Sequence, residues 1–409
     1  MMPTTWFENY VRLAFRIEKA FQTFYGRRFI SYYYGPSAWK DEEEAKPAHP
    51  PADLLRMAEA LRDALAKEPL EPHRTTFLTK QLRAQETICR VLCGETFSLE
   101  EEAYRCFDIR PTWIPETQLE QALALVETVL PGQGSFFDRM QSFTRRYTLL
   151  PGQPPLVLRM LQEALTEVRR RTHEVIPLPA GEEVSVQTVT GRPGNLAFSG
   201  YLGGYRSQIE FNLDAPLDLS RLLEIMSHEG YPGHHVEAVL KEQELYKARG
   251  YVEHALDLLI APQAVISEGL AMLAPSMIFS ADEEQAWLAE HIFPAAGVES
   301  LALNWEYVRL LPEWSMDVQG NAAFLLREGR SDQEVLQYLI RYLMVTEEQA
   351  RPMLTYLKIP FNTARIFSYT MGKRLLQPWL ARSDRCVAFI HLLTEQLYPS
   401  ELGEEATSL

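Results

Sequence analysis

Apolar residues recur at helical spacing through most of this chain. Aromatic and aliphatic side chains return every three or four positions over residues 7–25, and residues 54–66 and 77–93 repeat the pattern. That spacing gathers them on one face and predicts amphipathic helices. Gly94, directly after the third run, predicts its end. Between the first two runs, residues 41–51 hold the acidic run Asp41-Glu42-Glu43-Glu44 and three prolines, which predicts a solvated polar loop. Pro111, Pro115 and Pro131 punctuate the chain beyond the third run. One stretch breaks the rhythm. Within residues 182–190, Val-Ser-Val-Gln-Thr-Val-Thr alternates and is rich in β-branched side chains, the mark of a strand. Residues 196–201 and 208–213 predict two more strands, with turns at Gly191-Arg192-Pro193-Gly194 and Gly203-Gly204. From Leu219 the helical pattern returns and runs to about Tyr398. The pattern predicts a mainly α fold with one small β-sheet near 183–213, and no repeat of fixed period.

Length and charge sharpen the picture. The 409 residues exceed one compact core, since a domain takes about 100–200 residues. We expect a helical N-terminal lobe over 1–180 and a second region over 181–409, the small sheet followed by helices, which holds the candidate chemistry described next. A hydrophobic share of 46% excludes intrinsic disorder. Forty basic against 55 acidic residues give a net charge of −15, which argues against nucleic acid or an anionic membrane as partner. The cysteines Cys89, Cys93, Cys106 and Cys386 are too sparse for a disulfide scaffold, and the spacing of the first two is not that of a zinc ribbon, so they are expected to fill core. The N-terminus lacks the charged and apolar regions of a signal peptide, and no apolar run reaches the roughly 18 residues of a membrane span. A cytoplasmic setting is the default expectation.

The chemistry concentrates in Ser227-His228-Glu229-Gly230-Tyr231-Pro232-Gly233-His234-His235, which holds three of the nine histidines. A helix capped by Asp218 or Ser220 leads into it, with the stripe Leu219, Leu222, Leu223 and Met226 facing the core. The stripe runs directly into His228 and Glu229. Zinc-peptidase helices carry two histidines four apart, with a glutamate base after the first. Here the next histidines stand six and seven residues on, and six residues of straight helix separate them by about 9 Å along the axis. Pro232 and Gly233 predict a break, and a two-residue bulge would return His234 to the second ligand position. Without a metal, the same residues read as a helix end with surface histidines. Glu268 sits in an apolar stripe with Ala264, Val265, Ala271 and Met272. A lone carboxylate there calls for a metal or a buried arginine.

The segment His228-Glu229-Gly230-Tyr231-Pro232-Gly233-His234-His235, followed by Glu268-Gly269-Leu270-Ala271, resembles an uncharacterised bacterial family known as domain of unknown function 885. That family is similar to gluzincin-type zinc metallopeptidases, among them thermostable carboxypeptidases and thimet-type oligopeptidases. The resemblance spans roughly residues 180–380. It implies a gluzincin-like architecture with a helical cleft and one zinc ion on His228, His234 and Glu268, with His235 as alternative ligand. It further implies a peptide substrate and Glu229 as catalytic base. Family members carry Asp and, four residues later, His on one helix. This chain has Asp317 and Asn321, expected to support a ligand histidine from outside the metal's own shell. A Tyr-x-x-Gly helix is matched by Tyr369-Thr370-Met371-Gly372. Tyr369 is expected to donate to the oxyanion, and Arg365 or Lys373 to bind a substrate carboxylate. Two imidazoles and a carboxylate also suit non-haem iron, and a third reading is a non-catalytic helical scaffold with a structural polar cluster.

Overall fold

A computed structural model describes residues 5–191, 196–381 and 384–407. The chain is mainly helical with small sheets. The first helix, Thr5–Tyr25, buries Phe7, Tyr10, Val11, Ala14, Ile17 and Phe21 on its inner face. Helices Pro51–Leu65, Pro72–Leu92 and Pro154–Val175 each begin on a proline, which lacks the N–H that a first turn leaves unpaired. Two apolar cores result. One packs the N-terminal helices against residues 256–265 and 314–367, and the other packs residues 126–176 against the sheet, residues 217–308 and the C-terminal helices. Each core draws on residues from both sides of position 180. Among the described residues no helix is long and apolar enough to cross a membrane.

The expected sheet is present, with strands Glu183–Val189, Ala197–Gly203 and Arg206–Asn212. Arg206–Asn212 is its centre, parallel to the first strand and antiparallel to the second. Gly203 and Gly204 turn the hairpin with φ of 76° and 63°, a region glycine enters without steric penalty. The turn expected at Gly191-Arg192-Pro193-Gly194 lies, from Arg192 on, outside the described residues, as does the chain start before Thr5. Two short ribbons had no clear sequence signal. Ile30–Tyr33 pairs with Leu256–Leu258, and Thr148–Leu149 with Leu217–Asp218.

The acidic run is solvated at Asp41, Glu42 and Glu44 as expected, but it is helix rather than loop, and its third residue is not at the surface. It closes the helix Ser37–Glu44, and Glu43 is buried against Arg16 at 2.8 Å, Lys46 at 2.8 Å and Arg12 at 3.1 Å. Burial opposes its charge, but these cations hold the carboxyl at about 2. All four cysteines are free. Cys89 and Cys106 fill core as expected, whereas Cys93 is exposed and Cys386 half-buried.

A backbone-close helix contact joins Pro262–Leu273, which carries Glu268, to Phe367–Leu380, which carries Tyr369. A Cβ on Gly269 would sit 2.4 Å from the carbonyl carbon of Gly372, and one on Gly372 would sit 2.2 Å from the Val265 carbonyl oxygen. Backbone therefore lies against backbone. Gly269→Ala and Gly372→Ala are each expected to cost about 1–3 kcal/mol or more in denaturant melts, through forced separation of the two helices. Gly200→Ala, whose added carbon meets nothing nearer than 3.7 Å, should stay within about 1 kcal/mol of the parent.

Candidate metal centre

The first His helix, Leu222–Glu229, follows a short 3-10 turn in which Asp218 accepts from the Ser220 amide at 3.0 Å. Leu219, Leu222, Leu223 and Met226 are fully buried, as their spacing predicts. The helix ends at Gly230, and a second His helix, His234–Lys241, begins four residues later. The Gly230 amide still reaches four residues back to Met226, but the Gly233 amide reaches six back, to Ser227 at 2.9 Å. Two residues have been looped out. A Cβ on Gly233 would lie 2.0 Å from the His228 carbonyl oxygen, so the return is open only to glycine. The expected shift by two is present, as a change of helix rather than a bulge within one.

This return brings the His228 and His234 rings to 4.7 Å between centroids, nearly perpendicular at 87°. Glu268 reaches them from its own helix. Its Oε2 lies 3.4 Å from His228 Nε2 and 3.7 Å from His234 Nε2. One donor atom from each residue falls within 4.8 Å of the others. The Glu268 Oε1 accepts from Arg365 at 2.9 Å, whereas Oε2 is buried and, among the described residues, has no hydrogen-bond partner. Burial opposes its charge, but His228, Arg365 and His234 hold the carboxyl at about 2. An ionised, unpaired oxygen facing two imidazole nitrogens fits a divalent cation, because burying such a charge unpartnered is costly.

The surroundings orient the ligands. Ser267 Oγ donates to Glu237 at 2.5 Å and lies 3.1 Å from His234 Nδ1. Having given its proton to Glu237, the hydroxyl accepts from His234 Nδ1–H, which leaves Nε2 to face Glu268. Glu237 is also paired with Lys241. His235 is not available as a ligand. It is fully buried, with Nδ1 2.7 Å from Ser207 Oγ and Nε2 3.0 Å from Glu182. Burial pushes its pKa down, so the neutral ring donates through Nε2 and accepts through Nδ1. Glu182 also accepts from Tyr231, Arg169 and His173, which ties the loop between the His helices to the helix Pro154–Val175.

Other expectations need correction. Asp317 supports no histidine; it accepts from Arg374 at 2.6 Å. Asn321 is turned to the N-terminal region, where it bonds the Ile114 amide at 2.9 Å and carbonyl at 2.8 Å. Lys373 is paired with Glu313 at 2.6 Å and does not line the cleft. Arg365 does line it, but its guanidinium is engaged by Glu268 and Tyr356 and so positions the carboxylate. Residues that sequence reasoning missed are Glu182, Glu237 and Ser267. Glu237, three residues beyond His234, carried a helical-spacing signal, whereas Ser267, adjacent to Glu268, did not. Glu182 carried none.

The cluster opens on a cleft of about 330 Å³. Glu229, Arg365 and Tyr369 line it, with residues 196–199 and Tyr201 on one wall and Tyr32 and Asp257 on another. The wall strand is Ala197–Gly203, an edge of the sheet, whereas Arg206–Asn212 is central. Burial pushes the Tyr369 phenol well above its ordinary range, reinforced by Glu268 and Glu229 against the opposing Arg365, so it remains a donor.

No family model matches the chain, and no curated protein matches it in sequence. Among the solved structures that match it are two at low identity. A candidate lipoprotein from Colwellia psychrerythraea is 15% identical at a TM-score of 0.54 over 87% of this chain, which spans 66% of that protein's length. An M32 carboxypeptidase from Deinococcus radiodurans R1 is 12% identical at a TM-score of 0.47, over 98% of this chain and 94% of its own. The first supports the fold, and neither bears on activity.

His234 supplies a pH test. Burial disfavours its charge, yet Glu237, Glu268 and Glu229 lift its pKa from 6.5 to about 9. A pKa raised on folding adds stability below 6.5 that is lost as pH rises through about 9. The metal-free protein should therefore lose stability across that window relative to His234→Gln. A pH-independent difference between the two in urea melts would contradict the assignment.

Proposed function

We propose that this protein is a metal-dependent hydrolase, with zinc the expected ion and peptides the substrate class. The observation that carries the reading is the buried, unpaired Glu268 oxygen facing the Nε2 atoms of His228 and His234, with Glu229 in the same cleft. His228, His234 and Glu268 would hold the ion. When bound, it supplies Lewis acidity that polarises a carbonyl and acidifies water. Glu229 accepts the proton of the attacking water and returns it to the departing amine. Tyr369 donates a hydrogen bond to the oxygen on which charge develops. Arg365 and the Glu237–Ser267 pair keep Glu268 and His234 aimed. The strand Ala197–Gly203 supports binding of an extended chain. The Asn212 amide donates to the Leu196 carbonyl at 2.8 Å, so by antiparallel alternation Ala197 and Ser199 turn their backbone groups to the open edge.

Elemental analysis of purified protein should find one zinc per chain. Iron would favour oxygenase chemistry on the same donors, and no metal a structural cluster. His234→Ala should lose the ion, whereas folded His235→Ala should keep it at reduced thermal stability; zinc retained in His234→Ala would sink the ligand assignment. Glu229→Gln should keep the ion and lose about 10²–10⁴-fold in peptide hydrolysis. Activity that survives this change with metal bound means that another group is the base.

A further inference from the structure

Five carboxylates line the cleft, and four of them have a partner or a use. Glu224 pairs with Arg221 at 2.7 and 2.9 Å, Glu268 with Arg365 at 2.9 Å, and Glu237 with Lys241. Glu229 is assigned as base. The fifth, Asp257, has no ion-pair partner among the described residues. Its Oδ1 accepts from the neutral side-chain amide of Gln263. Burial pushes its pKa up, reinforced by Glu237, against the opposing Gln263, Lys241 and Ser31. Of these three only Lys241 is charged, and Glu237 holds it. The surroundings therefore disfavour a charge that no adjacent cation offsets.

The fold turns this carboxylate toward the cleft. Asp257 is the middle residue of the strand Leu256–Leu258, whose two leucines are buried in core. Alternation sends Asp257 to the opposite face, where it is half-buried. Tyr32 stands opposite it in the antiparallel ladder, and residues so paired share a face. Tyr32 is half-buried and lines the cleft as well. Its ring lies 5.4 Å from that of Tyr201, on the strand Ala197–Gly203. Asp257 and Tyr32 thus border the strand proposed to hold an extended chain. Among the described residues the one set of three ligating side chains close enough for a metal ion is His228, His234 and Glu268, so Asp257 lacks the companions of a second metal site. A single carboxylate beside a tyrosine ring suits a nitrogen cation, which donates to the one and rests against the π-system of the other.

We infer that Asp257 anchors a positively charged nitrogen of the substrate, with Tyr32 beside it. The inference rests on the peptide-hydrolase reading and names its substrate class. The nitrogen has two sources, a lysine or arginine side chain and a free N-terminus.

Four tripeptides separate them: Gly-Lys-Gly, Gly-Leu-Gly and the N-acetyl form of each. Calorimetric titration of Glu229→Gln protein as purified measures binding without turnover. A peptide carrying the recognised cation should bind at least about tenfold more tightly than N-acetyl-Gly-Leu-Gly, the usual scale of a hydrogen bond to a charged group. An advantage kept by N-acetyl-Gly-Lys-Gly assigns the side chain, and one confined to the unacetylated pair assigns the N-terminus. Adding Asp257→Asn, which keeps an oxygen for Gln263, should erase the advantage. Adding Glu299→Gln, which removes an exposed carboxylate outside the cleft, should preserve it and so exclude attraction by net charge alone. In protein with Glu229 intact, the preference should appear in KM and vanish in Asp257→Asn. Equal binding of the four peptides, binding of none, or a preference that survives Asp257→Asn overturns the inference. Cleavage without any cation preference sinks the anchor and spares the hydrolase reading. A preference lost in Asp257→Asn, in a protein that cleaves no peptide, supports the anchor and sinks the hydrolase reading alone.

Discussion

The backbone contact between Gly269 and Gly372 is the constraint on which the candidate site depends. It brings the helix of Glu268 against the helix of Tyr369 at a separation that no side chain would allow. Arg365, just before the second helix, can then reach Glu268, while Tyr369 on it lines the same cleft. The same contact explains two sequence motifs at once. The glycine after Glu268 and the glycine three after Tyr369 are two faces of one packing interaction, each present because the other is.

A second closure shapes the histidines. Gly233 passes so near the His228 carbonyl that the chain returns to helix with His234 beside His228. Nothing in a tight loop alone would hold that return in one geometry. Glu182 does so from outside, by accepting from Tyr231 on the loop, from His235 in the first turn of the second His helix, and from Arg169 and His173 on the helix Pro154–Val175. The doubled histidine therefore divides its labour. One ring faces Glu268, and its neighbour anchors the backbone that carries it.

Local signals were legible in the sequence, and distant partnerships were not. The stripe ending at His228, the break at Pro232 and the apolar setting of Glu268 depend on residues a few positions apart, and periodicity reports such relations. The small sheet was visible for the same reason. Its strand order was not: placing Arg206–Asn212 at the centre requires a parallel partner that hydrophobic alternation does not identify. Asp317 and Asn321 share a helix face as their spacing demands, but the face points to Arg374 and Ile114. Spacing says that two residues look the same way and is silent on what they look at. Glu43 shows the converse. Three cations, two from the first helix and one from the turn after Glu44, enclose a residue that its acidic neighbours mark as surface.

Metal ligation and a buried arginine were alternatives for Glu268 when read from sequence, yet the geometry makes them complementary. A carboxylate has two oxygens, and Arg365 engages only one. Fixing Oε1 removes the rotation that would let the group turn from the histidines, so the ion pair aims Oε2 instead of satisfying it. Were the arginine the whole explanation, both oxygens would be expected within its planar fork, as Arg221 holds Glu224 through two donors. The single contact, together with an unpaired Arg365 Nε among the described residues, shows a pairing set back to leave one oxygen free. The negative character of the chain acquires a local meaning from this. Glu229, Glu237 and Asp257 line the same cleft, and His234 draws its raised proton affinity from Glu237, Glu268 and Glu229. Either a proton or a metal ion can answer that field, and only the ion also uses the free oxygen of Glu268 and both imidazoles at once.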